Sequence, residues 1–264
     1  MHQTDGILST GRLRYWDGGP KQAPAILLLH SAFSDAAFSW REVWGALAVK
    51  HRVIAPDMPG FGASHAPDGI DLATLAGALR ELLGQLGVAR ATVVGNSFGV
   101  SAAISLASLY PDCVERLVFV NGVMLPPVSG LVKRATAIPA LDRLISGMFY
   151  GAVFGRKAVR GSFPHASPEA FASIRAQIDR DGPANFRTVK ACALNSAPIK
   201  PSIRAPITLL WGADDRLTPI QMARDLAKAF PGAKLVPIER AGHLPQRDRP
   251  EAFVALLSQV LETP

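Results

Sequence analysis

Apolar residues in this chain fall into two alternating patterns. Residues 25–29 form an unbroken apolar run, and 52–55, 91–94, 117–120 and 207–211 are nearly so. Runs of this length fit central strands covered on both faces. Residues 13–16, before the turn Asp17-Gly18-Gly19-Pro20, and the short run 234–236 complete the predicted strands. Between them the apolar spacing is helical: Trp40, Val43, Trp44 and Leu47 within 40–50, a leucine stripe within 71–86, and Phe253, Leu256, Leu257 and Val260 within 250–261. Asp71 is placed to cap the second of these helices and Gly87 to stop it. Helices are also predicted over 97–110 and 219–230. Strands alternating with helices at this interval predict an α/β fold with a doubly wound, mostly parallel sheet.

The alternation stops after Asn121-Gly122. Residues 126–201 carry several prolines, no strand-like run, and helical patterns over 141–149, 168–178 and 185–194. The expected organisation is a core made of 1–125 and 205–264, interrupted by a helical insertion at 126–204. The chain has 264 residues, 48% of them hydrophobic, enough to bury a substantial core.

Charge sharpens this division. The net charge is +7, but 126–204 holds 12 Lys and Arg against 4 acids, leaving the rest of the chain near neutral. Spaced basic residues without interleaved aromatics argue against a nucleic-acid partner. They fit either a solvated helical surface or a field that attracts an anionic substrate. No apolar stretch is long enough for a membrane span, and 1–11 does not read as a secretory signal. Cys113 and Cys192 suggest small buried hydrophobes in a reducing compartment, so a cytoplasmic protein is expected. No metal-ligand spacing is present.

The candidate chemistry lies at predicted strand ends. Val94-Gly95-Asn96-Ser97-Phe98-Gly99 reads as strand, tight turn and helix, with a serine on the turn between small residues. A serine hydroxyl needs a base to take its proton and a carboxylate to orient that base. Two histidines lie downstream: His165 in the insertion, and His243 between the last strand and the last helix. Two aspartates, Asp214 and Asp215, compete for the acid just past the strand at 207–211. His30-Ser31-Ala32-Phe33 follows another strand end.

These features together resemble the α/β-hydrolase family. Gly95-x-Ser97-x-Gly99 is similar to its nucleophile elbow, and 57–64 to its D-x-P-G-x-G-x-S turn. The run 212–219 resembles its G-x-x-D-x-x-x-P acid turn. The resemblance implies an α/β-hydrolase fold with 126–204 as a helical cap. It implies catalytic residues Ser97, Asp215 and His243, oxyanion amides at Ala32 and Phe98, and substrate contacts from Phe33 and Asn96. Ser31 stands where the family has glycine. A cofactor-free serine hydrolase acting on a small-molecule ester or lactone is the expectation.

Asn96 also resembles the G-N-S elbow of hydrolases that cleave carbon–carbon bonds in vinylogous diketo acids. Those substrates are anionic, which would suit the basic insertion, but Leu244 stands where such enzymes have tryptophan. A perhydrolase or a hydrolase-fold binding protein would share the same residues. Ser97 argues against the aspartate-dependent epoxide hydrolases and dehalogenases.

Overall fold

A computed structural model describes residues 1–122, 124–198 and 203–262. Eight strands form one sheet: β1 (His2–Leu8), β2 (Gly11–Gly18), β3 (Ala25–Leu29), β4 (Arg52–Pro56), β5 (Ala91–Asn96), β6 (Val114–Val120), β7 (Ile207–Gly212) and β8 (Lys234–Ile238). Their order is β1-β2-β4-β3-β5-β6-β7-β8. The β1–β2 and β2–β4 pairs are antiparallel, and every later pair is parallel. The parallel sheet is therefore extended at one edge by an antiparallel hairpin.

Alternating residues of each strand feed opposite faces of the sheet. Leu27, Leu29, Val93 and Phe119 pack on one side. Ile26, Leu28, Val94 and Val118 pack on the other. Three helices interleave with the first strands: α1 (Ala36–Leu47), α2 (Leu72–Gln85) and α3 (Phe98–Leu109). The Asp71 side chain accepts from the Thr74 amide at 2.7 Å, capping α2 as the sequence implied.

Four helices lie between β6 and β7: α4 (Gly130–Thr136), α5 (Pro139–Phe154), α6 (Arg156–Ser162) and α7 (Pro168–Asn195). The chain then returns to the sheet and adds α8 (Ile220–Ala229), α9 (Pro245–Asp248) and α10 (Pro250–Glu262). The sequence pattern suggested two helices where α7 runs on for 28 residues through Pro183. Proline inside a helix forfeits one backbone hydrogen bond and is usually a stop. Here burial of Ile178, Gly182 and Asn185 on one face carries the helix across it. The space beside Gly182 is filled by Phe154, 3.0 Å from where a Cβ would stand.

β1 was not legible as a strand. Six of its seven residues are at least partly exposed, so no apolar alternation marks it. It exists because β2 offers a paired edge, in register from His2–Asp17 to Leu8–Gly11.

Candidate active site

Four parallel strands end along one rim of the sheet, and each delivers polar residues there. Ser97 follows β5 directly, with φ 54 and ψ −114, in the region that side chains rarely occupy. The turn is held from both sides. The Ser97 amide donates to the Val120 carbonyl at 2.9 Å, and Val100 donates to the Ser97 carbonyl at 3.0 Å. There is no room for side chains around it. A Cβ on Gly95 would lie 2.4 Å from the Gly99 carbonyl oxygen, one on Gly99 2.3 Å from that of Leu29, and one on Gly122 2.3 Å from that of Ser97.

His243 is brought to this turn from the loop after β8. Its Nε2 lies 2.8 Å from Ser97 Oγ, and its Nδ1 2.7 Å from Asp215 Oδ2. Two anchors fix the loop: the His243 amide donates to the Ser162 carbonyl at 2.8 Å, and the Gly242 amide to Asp248 Oδ2 at 2.7 Å. The imidazole and the Asp215 carboxylate are both fully buried.

The carboxylate is satisfied by five donors. Oδ1 accepts from the amides of Leu217 at 2.8 Å and Thr218 at 3.2 Å. Oδ2 accepts from Asn121 Nδ2 at 2.8 Å and Thr218 Oγ1 at 2.5 Å, besides facing His243. Burial alone would push the Asp215 pKa up. The charge of His243 and the hydrogen bonds from His243, Thr218 and Asn121 outweigh it and hold the pKa below the ordinary value. Asp214, the competing aspartate, points outward instead and meets His165 Nε2 at 2.6 Å, both side chains being exposed.

Asn121 was not singled out from the sequence as a site residue. Its φ is 43, and its side chain bridges two strand ends, accepting from the Gly212 amide at 2.8 Å while donating to Asp215. A polar Asn-Gly pair closing a buried apolar strand was the available signal.

Asn96 differs from its expected role. It is fully buried. Its Nδ2 donates to the carbonyls of Val120 at 2.9 Å and His243 at 3.1 Å, and its Oδ1 accepts from Gln246 Nε2 at 3.2 Å. With its amide committed in this way it braces the histidine loop. Phe33 is likewise buried, its ring edge-on to the His243 imidazole at 5.5 Å and packed against Phe154 and Phe163. It walls the imidazole.

The expected oxyanion residues border the same place. Phe98 opens α3, where its amide has no intrahelical carbonyl to meet. Ala32 lies in the loop after β3, and its carbonyl accepts from Asn185 Nδ2 of α7 at 3.0 Å. The base of that loop is set by His30, whose Nε2 accepts from the Met58 amide at 3.0 Å and whose Nδ1 therefore donates to the Ser31 carbonyl at 2.7 Å. Burial holds His30 neutral by lowering its pKa from 6.5 to about 4. The neighbouring 57–64 turn hangs on Asp57, which accepts from the amides of Ala36 at 3.0 Å and Ala63 at 3.1 Å. Its pKa is raised by burial to about 6.

A cavity of about 480 Å³ opens from Ala32 into the helical insert, walled by Leu125, Val132, Ile145, Phe149, Phe186 and Val189 among others. Among the described residues Lys190 is the one charged residue on its wall, and it is paired with Asp142.

A serine on a strained strand-to-helix turn, joined through a histidine to a buried aspartate, agrees with what most of the chain matches. The model of the alpha/beta hydrolase fold covers residues 24–250.

The chain belongs to the alpha/beta hydrolase fold family.

This hydrolase is 31% identical over 256 residues to the 2-hydroxy-6-oxo-2,4-heptadienoate hydrolase of Pseudomonas putida, spanning 90% of this chain and 88% of that protein. Among solved structures it superposes on a thermophilic esterase from Thermogutta terrifontis with a TM-score of 0.79 at 23% identity, covering 99% and 98% of the two chains. It also matches Est816, an N-acyl homoserine lactone degrading enzyme, with a TM-score of 0.77 at 25% identity over 97% and 99%. Among the described residues no helix is long and apolar enough to cross a membrane.

Proposed function

We propose that this hydrolase cleaves a carboxylic ester or lactone with an apolar acyl or alcohol portion, through an acyl-enzyme on Ser97. The observation that carries this reading is the unbroken relay from Ser97 Oγ through His243 to Asp215, with separations of 2.8 and 2.7 Å. In it, Ser97 Oγ attacks the carbonyl carbon while His243 Nε2 takes its proton, and Nδ1–H donates to the Asp215 carboxylate throughout. The amides of Phe98 and Ala32 receive the oxyanion, each such donor lowering the barrier by about 3 kcal/mol. His243 then protonates the leaving alkoxide. A water, deprotonated by the same nitrogen, attacks the acyl carbon, and His243 returns that proton to Ser97 Oγ as the acid is released.

The helices between β6 and β7 act in this proposal as a cap whose cavity holds the apolar portion. That cavity supports an uncharged group better than the anion suggested by the basic insertion, because its single lysine is already paired with Asp142.

A second reading, hydrolysis of a carbon–carbon bond in a vinylogous diketo acid, is favoured by the named activity of the relative from P. putida. Both readings require Ser97. Purified enzyme assayed with p-nitrophenyl esters, lactones and ring-cleavage dienoates separates them. The proposal expects ester or lactone turnover that Ser97→Ala abolishes. Preference for the dienoate selects the second reading, and turnover of none of the three by the wild type refutes both.

A further inference from the structure

Helix α5 is apolar on its outer face. Leu141, Leu144 and Met148 recur along it at helical spacing, and the neighbouring α4 adds Leu131. Leu131, Leu144, Met148 and Phe149 are 61 to 78% exposed. An outward apolar stripe of this kind is unusual on a surface that meets only water. The inner side of the helix carries the buried Phe154 and the Asp142–Lys190 pair.

The two margins of the stripe differ in chemistry. On one, Ile145 and Phe149 form the wall of the 480 Å³ apolar cavity. On the other, Gly151 and Ala152 border an open cleft carrying Arg156, Lys157, Arg160 and Arg216. Arg160 reaches the Ala166 carbonyl at 3.1 Å and lies over the Phe171 ring. Arg156, Lys157 and Arg216 have no carboxylate partner among the described residues.

We infer that this face docks peripherally on an anionic lipid surface, the α4–α5 side chains entering the acyl boundary while the cationic cleft meets the headgroups. An apolar face rimmed by cations is the combination that binds such an interface. The charge of the segment selects this occupant over a second copy of the chain. Two copies would bring together segments that each carry 12 basic residues against 4 acids. Docked in this way, the mouth of the apolar cavity lies at the lipid boundary.

The test is co-sedimentation of the full chain with large vesicles of phosphatidylcholine alone and of equimolar phosphatidylcholine and phosphatidylglycerol. The wild type is expected to pellet with the anionic vesicles and to stay in solution with the neutral ones. Arg156→Gln with Lys157→Gln should weaken the anionic partition roughly thirty-fold, and added salt should weaken that of the wild type. Leu144→Asp with Met148→Asp should weaken it about tenfold or more. Neither pair touches the site around Ser97, so both variants should keep the wild-type melting temperature and p-nitrophenyl ester turnover. Equal binding to both vesicle types, no binding to either, or variants that bind as the wild type does would overturn the inference. So would a concentration-dependent dimer in light scattering that Leu144→Asp with Met148→Asp dissolves, since the face would then belong to a second copy.

Discussion

Replacing Asp215 by asparagine changes a single atom type, and the structure dictates where the amide must point. Oδ1 accepts from two backbone amides, those of Leu217 and Thr218. An NH₂ there would oppose two fixed donors, so the asparagine oxygen takes the Oδ1 position and its nitrogen takes that of Oδ2. That nitrogen then faces Asn121 Nδ2, which cannot turn over because Asn121 Oδ1 is held by the Gly212 amide. It also faces His243 Nδ1 and donates to it, which forces the imidazole proton onto Nε2. A protonated Nε2 cannot take the proton of Ser97. Wrong-tautomer substitutions of this kind lower kcat by about 10⁴, roughly 5.5 kcal/mol in the barrier. Asp214→Asn provides the contrast: it breaks only an exposed contact with His165, worth at most about 1 kcal/mol of stability and little in rate. Both variants should be assayed by initial rates on p-nitrophenyl acetate, normalised to the folded fraction from near-ultraviolet circular dichroism. An Asp215→Asn rate within tenfold of the wild type would refute the reasoning, as would an equal loss in Asp214→Asn.

Three further outcomes are expected. Asn96→Ala leaves the buried His243 carbonyl without its side-chain donor and the Val120 carbonyl with the Ser97 amide alone, so it should lower stability by about 1–3 kcal/mol in urea melts and reduce kcat more than KM; a change in KM alone would return Asn96 to the substrate. Val189→Trp fills the apolar cavity and should lower kcat/KM for an octanoyl ester by about tenfold while sparing the acetyl ester; equal effects would remove the cavity from substrate binding. The third concerns pH. The depressed pKa of His30 means stability that is full above 6.5 and lost as pH falls through about 4. The raised pKa of Asp57 has the opposite sign: its contribution is full below 3.8 and lost as pH rises through about 6. The two nearly cancel on acidification, so Asp57→Asn, which removes the compensating half, should lose about 3 kcal/mol more than the wild type between neutral pH and about pH 4. Parallel urea-midpoint profiles would contradict this.

The sequence by itself determined most of the sheet, the helices that interleave with it and the residue types at the strand ends. Each of these follows from local periodicity or from glycines demanded by a crowded turn. Continuous apolar runs such as 25–29, set between turn residues, fit strands buried on both faces, and the small residues around Ser97 fit the crowding of its turn. Tertiary structure decided what depends on distant partners. β1 forms on the edge of β2 despite an exposed, patternless sequence. α7 passes through Pro183 because its buried face is packed. Asn96 and Asn121 serve as struts because other strands and loops offer them carbonyls, amides and a carboxylate. The resemblance of 212–219 to the acid turn implied Asp215 over Asp214, but the residues themselves did not, since adjacent residues of one turn point in opposite directions and the packed rim separates solvent from imidazole. Periodicity encodes which face of an element is covered; a hydrogen-bond partner a hundred residues away leaves no local trace until the chain has folded.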